Sequence, residues 1–303
     1  MKRFGLAALL LSLLAIPCQA QYKVTTVDFP GAAQTNLYAV NNKGQYVGAL
    51  IEAGAGQTNY AIFFDGKTFR QLDPNGPLSV NYSFALSLNL RGDIVGGYFD
   101  ASWAGHGFLY HDGDVKTIDF PGATITYAFG INDLRQIIGV YYDTAYNRHA
   151  FLLEDGVYKN IDLPGGLSTT PFSINDWSQI AGKFEDHSNT TGHGYLQRKD
   201  GKFTTFDAPG APPDSTFFIS VNNFDRILGA WMDSAGVTHN FLLSEGRLLD
   251  FDLPESLHAS SVSAQTINDF SEVVGYYSDA QGVQHGFVAI PREEREKPEF
   301  WRD

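Results

Sequence analysis

The sequence predicts an all-β fold, a six-bladed β-propeller with four antiparallel strands per blade and a ring closed by the N-terminal strand pairing with the C-terminal blade. Three observations predict it: a sixfold repeat, hairpin turn signals at fixed places within each repeat, and an orphan strand at one end matching a missing strand at the other. Helical periodicity is absent after the first twenty residues.

The repeat is clearest in the run IDFPG at residues 118–122, whose Asp recurs at 28, 73, 119, 162, 207 and 252, spacings of 43 to 46 residues. A second anchor is Asn followed seven residues later by Gly: Asn41 and Gly48, Asn89 and Gly96, Asn132 and Gly139, Asn175 and Gly182, Asn222 and Gly229, Asn268 and Gly275. A third is His two residues before an aromatic: His106 and Phe108, His149 and Phe151, His193 and Tyr195, His239 and Phe241, His285 and Phe287, with Asn59 and Ala61 in those places in the first unit. A period of this size belongs to repeat architectures in which each unit is one supersecondary block.

Within a unit the text reads as four short strands. Residues 127–132 are small and apolar, 136–142 are rich in Ile, Val and Tyr, 149–153 lead into Asp155-Gly156, and 157–163 end in Pro-Gly. Asp65-Gly66, Asp112-Gly113 and Asp200-Gly201 occupy the place of Asp155-Gly156. Such dipeptides make tight hairpins because Gly accepts positive φ without strain. In the innermost strand the residue two before the anchor Asn is small (Ala39, Ser87, Gly130, Ser173, Ser220, Thr266), and the one before it is Val, Leu or Ile. Period-two alternation sends these to opposite faces, as close packing near an axis demands.

The sixth unit lacks the Asp-Gly turn and outer strand, while residues 22–29 form a strand with no unit of their own. The two complete each other, placing the closure at one seam.

The ends and totals set the compartment. Lys2 and Arg3, an apolar run at 6–16, Pro17 and Cys18-Gln19-Ala20 read as a signal peptide over 1–20, with the propeller over 21–291 and a charged tail over 292–303. The expectation is an exported protein, periplasmic or extracellular. The apolar run is too short for a membrane span. Cys18 is the single cysteine, so the mature chain has to hold itself together without disulfides. Removing Lys2 and Arg3 leaves 19 basic against 34 acidic residues, a formal charge of −15 that repels phosphate backbones and argues against nucleic acid as a partner.

The run at 131–153, with its Ile-Asn-Asp, Ile-Ile-Gly-Val-Tyr and His-Ala-Phe-Leu-Leu segments, resembles the extracellular HAF-repeat family of bacterial exported proteins. The resemblance covers nearly all of the mature chain. It departs at Asn59 and Ala61, at Pro74-Asn75-Gly76, and at Glu255 in place of the turn Gly. It implies export and a repeat fold, and no settled activity.

Asp100, Asp143, Asp233 and Asp279 each precede a repeat His by six residues, and a carboxylate beside an imidazole could serve catalysis. Recurrence in blade after blade assigns these pairs to structure, since an active site is needed once. The Asp before each Pro-Gly reads as a turn cap accepting local amides. Function is then expected where the repeats disagree, on the face bearing the loops into the inner strand and between the second and third strands. The candidate ligand-binding residues there are Trp103, Tyr146, Arg148, Glu185, His187, Trp231 and His258, together with Glu52 and Asp214. Exposed aromatics with a few polar groups suit sugar rings. No calcium loop, zinc-protease or nucleophile-elbow motif is present, so no catalytic residue, metal or cofactor is expected. The reading is a monomeric, non-enzymatic binding scaffold for a polysaccharide or an extracellular protein. The alternative is a carbohydrate-active hydrolase or lyase with its site over the central channel, which two convergent, non-repeating acids at the channel mouth would favour.

Overall fold

The computed structural model describes residues 22–52, 58–73, 75–79, 81–186, 192–213 and 215–292. The expected signal peptide, and the tail beyond Arg292, lie outside the described residues. The chain opens with β1 (Tyr22–Val27). Blade 1 follows as β2 (Gln34–Val40), β3 (Tyr46–Ile51), β4 (Asn59–Phe64) and β5 (Phe69–Gln71). Blade 2 is β6 (Tyr82–Leu88), β7 (Ile94–Phe99), β8 (Gly105–His111) and β9 (Asp114–Ile118), and blade 3 is β10 (Ile125–Ile131), β11 (Ile137–Tyr142), β12 (Arg148–Glu154) and β13 (Val157–Asn160). Blade 4 comprises β14 (Ser168–Ile174), β15 (Ile180–Glu185), β16 (His193–Gln197) and β17 (Phe203–Phe206). Blade 5 comprises β18 (Thr216–Val221), β19 (Ile227–Met232), β20 (Thr238–Ser244) and β21 (Arg247–Phe251). In blade 6, β22 (Ser261–Ile267), β23 (Val273–Ser278) and β24 (Gln284–Pro291) take β1 as their fourth strand, in the order β22-β23-β24-β1.

The ring therefore closes as the sequence predicts. β1 runs antiparallel to β24 from Tyr22 opposite Pro291 to Val27 opposite Gly286. Among the described residues no helix is long and apolar enough to cross a membrane.

The sequence anchors explain one another. Gly139 on β11 faces Phe151 on β12, and a Cβ there would lie 2.0 Å from the Tyr127 carbonyl oxygen and 2.8 Å from the Phe151 ring. Only Gly leaves room for that ring, which is fully buried, as are Phe108, Tyr195, Phe241 and Phe287 at the same place. The Asn-to-Gly spacing and the His-x-aromatic motif thus describe a single packing event between neighbouring strands.

The anchor Asn residues close a ring of hydrogen bonds around the axis. Each donates its Nδ2 to the backbone carbonyl of the anchor Asn in the next blade: Asn41 to Asn89 at 3.2 Å, Asn89 to Asn132 at 3.1 Å, Asn132 to Asn175 at 2.9 Å, Asn175 to Asn222 and Asn222 to Asn268 at 3.0 Å, and Asn268 back to Asn41 at 3.2 Å. The Oδ1 of each accepts two amides of its own turn, for Asn132 those of Leu134 at 3.1 Å and Gln136 at 2.9 Å. All six side chains are buried. Asn132 donates two bonds, to Gln136 and Asn175, while accepting two amides, a combination that a carboxylate with no donor or a hydroxyl with one cannot supply.

Every inner strand carries a β-bulge, with register shifts at 37/39, 85/87, 128/130, 171/173, 218/220 and 264/266. The extra residue falls out of the ladder. Tyr38, Leu86, Phe129, Phe172, Ile219 and Gln265 consequently line the central channel. The small residues after them stitch blades together: Ser87, Ser173 and Ser220 accept the amides of Ile131, Val221 and Ile267, and Thr266 donates to the Tyr38 carbonyl at 2.6 Å.

Candidate ligand-binding face

The repeat His residues settle first, because geometry shows what they do. His149 Nδ1 lies 2.8 Å from Asp162 and its Nε2 3.4 Å from Asp143. His106 bridges Asp119 and Asp100 at 3.0 and 3.5 Å, His193 bridges Asp207 and Asp186 at 2.7 and 3.9 Å, and His285 bridges Asp28 and Asp279 at 2.9 and 3.5 Å. His239 meets Asp233 at 3.0 Å. Each of the four bridging rings ties the loop after the second strand to the turn after the outer strand. Burial alone would lower the pKa of His149, but hydrogen bonds to Asp162 and Asp143 outweigh it and raise the imidazole above its ordinary value. The same balance, with Asp28 and Asp279, raises His285.

These contacts correct one reading of the sequence. Asp28, Asp119, Asp162 and Asp207, expected to cap their Pro-Gly turns, accept instead from the His ring of the neighbouring strand, and Asp162 also takes the Ala150 amide at 2.7 Å. The turn Asp is adjacent in space to the neighbouring strand's His, and the amide that follows it is already donated to a Thr hydroxyl: Phe29 to Thr35 and Leu163 to Thr169 at 2.9 Å, Phe120 to Thr126 and Ala208 to Thr216 at 3.0 Å. Asp73, whose blade has Asn59 in place of His, does accept an amide of its own turn, that of Leu78 at 3.2 Å.

In blades 2 to 6 the loop between second and third strands starts from such an Asp, where blade 1 has Glu52. Asp100 Oδ1 accepts the amides of Ser102 and Ala104 at 2.8 and 2.9 Å, and Asp143 Oδ1 those of Ala145 and Asn147 at the same distances. This fold puts the loop's fourth residue in the left-handed region. Blades 5 and 6 place Gly236 and Gly282 there, with φ of 82° and 79°. Blades 2 and 3 place Trp103 and Tyr146 there instead, with φ of 65° and 62°. Both rings are open to solvent, 66% and 71% exposed. L-residues in this region carry a steric cost of roughly 1–2 kcal/mol, and such cost concentrates at functional sites.

Other candidates divide. Arg148 and Glu185 are brought together across blades 3 and 4, Nη2 to Oε2 at 3.1 Å, with Arg148 Nε donating to Ser168 at 2.9 Å and Lys183 adding a second cation to Glu185 at 2.7 Å. Trp231 is half-buried and stacked on His239, ring centroids 4.1 Å apart. His258 is exposed and ends a short 3-10 turn in left-handed conformation, and Glu52 is exposed. His187 and Asp214 lie outside the described residues.

The channel forms a cavity of about 420 Å³ lined by the six bulge residues with Tyr82, Phe84 and the hydroxyls of Ser87, Ser173 and Thr266. Tyr82 begins its inner strand, so the lining reaches the end of the channel that carries Trp103 and Tyr146. No carboxylate is among these lining residues. Burial raises the Tyr38 phenol above its ordinary value, keeping it a neutral donor. Among the described residues no group of three His, Cys, Asp or Glu side chains is placed to hold a metal ion.

Sequence reasoning missed the bulge residues, because alternation at period two hides an inserted residue. It also missed Leu134, Trp177, Phe224 and Phe270, all more than half exposed on the opposite face. Their signal was present, since each stands two residues after an anchor Asn.

No protein-family model matches the chain, and no curated protein matches it. Solved structures do. AofleA from Arthrobotrys oligospora is 15% identical over 88% of this chain and 86% of that chain, with a TM-score of 0.55. The SapL1 lectin in complex with alpha methyl fucoside is 12% identical over 87% and 98%, at 0.53. A variant of Aleuria aurantia lectin in complex with Fucalpha1-6GlcNAc is 10% identical over 89% and 92%, at 0.51. Identities of this size establish likeness of fold.

Proposed function

We propose that the chain is an exported, non-enzymatic scaffold that binds carbohydrate on the face carrying the loops between second and third strands. The observation that carries this reading is the pair Trp103 and Tyr146, exposed aromatics held at positive φ on adjacent blades where other blades use Gly. A ring fixed by a rigid loop stacks on a sugar with little loss of side-chain entropy. The Arg148–Glu185 pair on the same face supplies polar groups already oriented for hydroxyls. The fold likeness to lectins solved with fucosides supports the same ligand class.

The hydrolase reading finds less support. Glycoside hydrolysis uses two carboxyl groups flanking the scissile bond. The cavity at this end of the channel has no acid in its lining. Acids do converge at the other mouth, but Asp133, Asp176 and Asp269 there each accept a neighbouring blade's amide, at 2.7, 2.8 and 2.9 Å.

A glycan array beside a hydrolysis screen tests the proposal. Binding without turnover, reduced at least tenfold by Trp103→Ala or Tyr146→Ala, is expected. Turnover lost on replacing an acidic loop residue, or binding indifferent to both aromatics, would overturn it.

A further inference from the structure

The opposite face carries an independent signal. The turns between first and second strands share one geometry, in which the anchor Asn accepts the amide of the residue two positions on. That position holds Lys43 and Arg91 in blades 1 and 2, so the turn itself makes no demand for an apolar side chain. In the next four blades it holds Leu134, Trp177, Phe224 and Phe270, exposed by 57, 67, 56 and 60%. Four large apolar groups on consecutive blades form an arc around the channel mouth, and contiguous exposed patches of this kind mark interaction sites. Trp177 is fixed with its Nε1 donating to the Asn223 carbonyl at 3.0 Å, leaving its ring outward.

Inside the arc the mouth is acidic. Asp133, Asp176 and Asp269 line a recess of about 110 Å³, with Asn42 and Asn223 between them. The outer oxygens of Asp176 and Asp269 are bridged within the ring, Asn223 donating to Asp176 at 2.8 Å and to Asp269 at 3.0 Å, and Asn42 to Asp269 at 2.7 Å. Burial, with Asp176 and Asp269 adding like charge, raises the Asp133 carboxyl above the usual range despite the Leu90 amide and Arg91. Apart from Arg91 beside Asp133, the nearby cations are engaged elsewhere: Arg135 with Asp93 at 2.8 Å, Arg226 with Ser271, and Lys43 with the Leu90 carbonyl at 2.6 Å.

We infer that this face docks a partner protein through a segment that lays large apolar side chains on the arc and directs a lysine or arginine into the acidic mouth. Charge decides against a second copy of this chain, whose own carboxylates would meet these. A glycan fits poorly, since Leu134, Phe224 and Phe270 offer no hydrogen bond and the Asn42 and Asn223 amides donate to the ring's own carboxylates, whose charge still favours a cation. With carbohydrate on one face and protein on the other, the propeller would act as an adaptor, although the docking surface does not depend on the glycan reading.

The test uses the intact mature protein and a displayed library of random 12-residue peptides. Selection is expected to enrich peptides in which Lys or Arg is flanked by large apolar residues. Their affinity should fall at least tenfold in Phe224→Ser/Phe270→Ser and in Asp133→Asn/Asp176→Asn, weaken as sodium chloride rises, and stay unchanged in Trp103→Ala/Tyr146→Ala. Thermal melts of each variant check that it folds, and Trp177→Ser provides a second apolar change. Enrichment of acidic or purely polar peptides, or affinity indifferent to the arc, overturns the inference. So does a glycan-array signal lost in Trp177→Ser, or self-association in sedimentation abolished by Phe224→Ser/Phe270→Ser.

Discussion

His285 Nδ1 stands 2.9 Å from Asp28 Oδ2, although the two residues are 257 positions apart. The same contact within a blade joins residues 13 or 14 apart, as in His106 with Asp119 and His193 with Asp207. Blade 6 thus reproduces across a chain break what the other blades make locally. The Thr26 hydroxyl meets the Tyr277 phenol at 3.0 Å, just as Thr117 meets Tyr98 at 2.9 Å in blade 2. Closure of the ring is chemically a blade like any other.

The first prediction concerns that seam. Deleting residues 21–30 removes β1, leaves the β24 backbone edge unpaired, and exposes the pocket of Tyr22, a buried ring packed edge-on against Phe251 at 5.4 Å. Loss of one such aromatic alone costs about 3–5 kcal/mol. Urea unfolding should show at least that loss, and a synthetic peptide of residues 22–30 should restore part of it. A truncated chain that unfolds with the intact one's midpoint contradicts the closure.

Stability should peak between about pH 4 and pH 6.5. His149 and His285 have raised pKa values in the fold, so their contribution is complete below the ordinary value of 6.5 and lost as pH rises through the folded one. Asp100 and Asp143 are held down to about 2, led by hydrogen bonds from Ser102 and Asn147 respectively; their contribution is complete above 3.8 and lost as pH falls toward 2. Calorimetric melting temperatures from pH 2 to 9 check both limbs. His149→Gln should flatten the alkaline limb and, since His149 is also one of the groups that hold Asp143 down, move the acid limb by less.

The Asn ring yields the third. Asn132→Asp keeps shape and both accepted amides but loses the donors to Asn175 and to Gln136, 2.9 and 2.7 Å away, and sets a buried carboxylate against a carbonyl oxygen. Removing one partner of a buried hydrogen bond costs about 1–3 kcal/mol, more for a charged group, so a loss of about 3 kcal/mol or more is expected in chemical denaturation. A near-neutral effect would mean the ring opens to water.

Much of this architecture was legible because the repeat turns packing into spelling. The anchor Gly and the motif's aromatic are twelve residues apart in blades 2, 3, 5 and 6, as in Gly139 and Phe151, and thirteen in blade 4, where Gly182 still meets Tyr195; their contact is the reason. The seam was legible from a missing turn after Phe287. What escaped was whatever the repeat treats as free. The bulge at Phe129 leaves no mark, since an inserted residue between small neighbours looks like ordinary alternation. The Asp162–His149 bond escaped because the two belong to different anchors, and its existence depends on how far the outer strand's end travels toward the third strand. Trp103 and Tyr146 were legible as irregularities, but their positive φ became apparent only beside Gly236 and Gly282.

That comparison supplies the last prediction. Replacing an exposed aromatic usually leaves stability near unchanged or lowers it, yet at Trp103 and Tyr146 the backbone favours Gly, as blades 5 and 6 show. Trp103→Gly relieves the left-handed strain, roughly 1–2 kcal/mol, against a Gly entropy cost of about 0.5–1 kcal/mol and a single ring contact with Phe99 at 6.0 Å. Trp103→Gly and Tyr146→Gly should therefore unfold no more easily than the native chain, with a gain of up to about 1 kcal/mol, while glycan binding falls at least tenfold. Trp103→Ala, which keeps the strain and loses the ring, should be the less stable of the two Trp103 variants. Paired urea titrations and glycan-array readings on the four single variants at these positions separate the outcomes. If Trp103→Gly proves clearly destabilising, the aromatic is part of the loop's own packing, and the argument that strain is retained for a ligand fails with it.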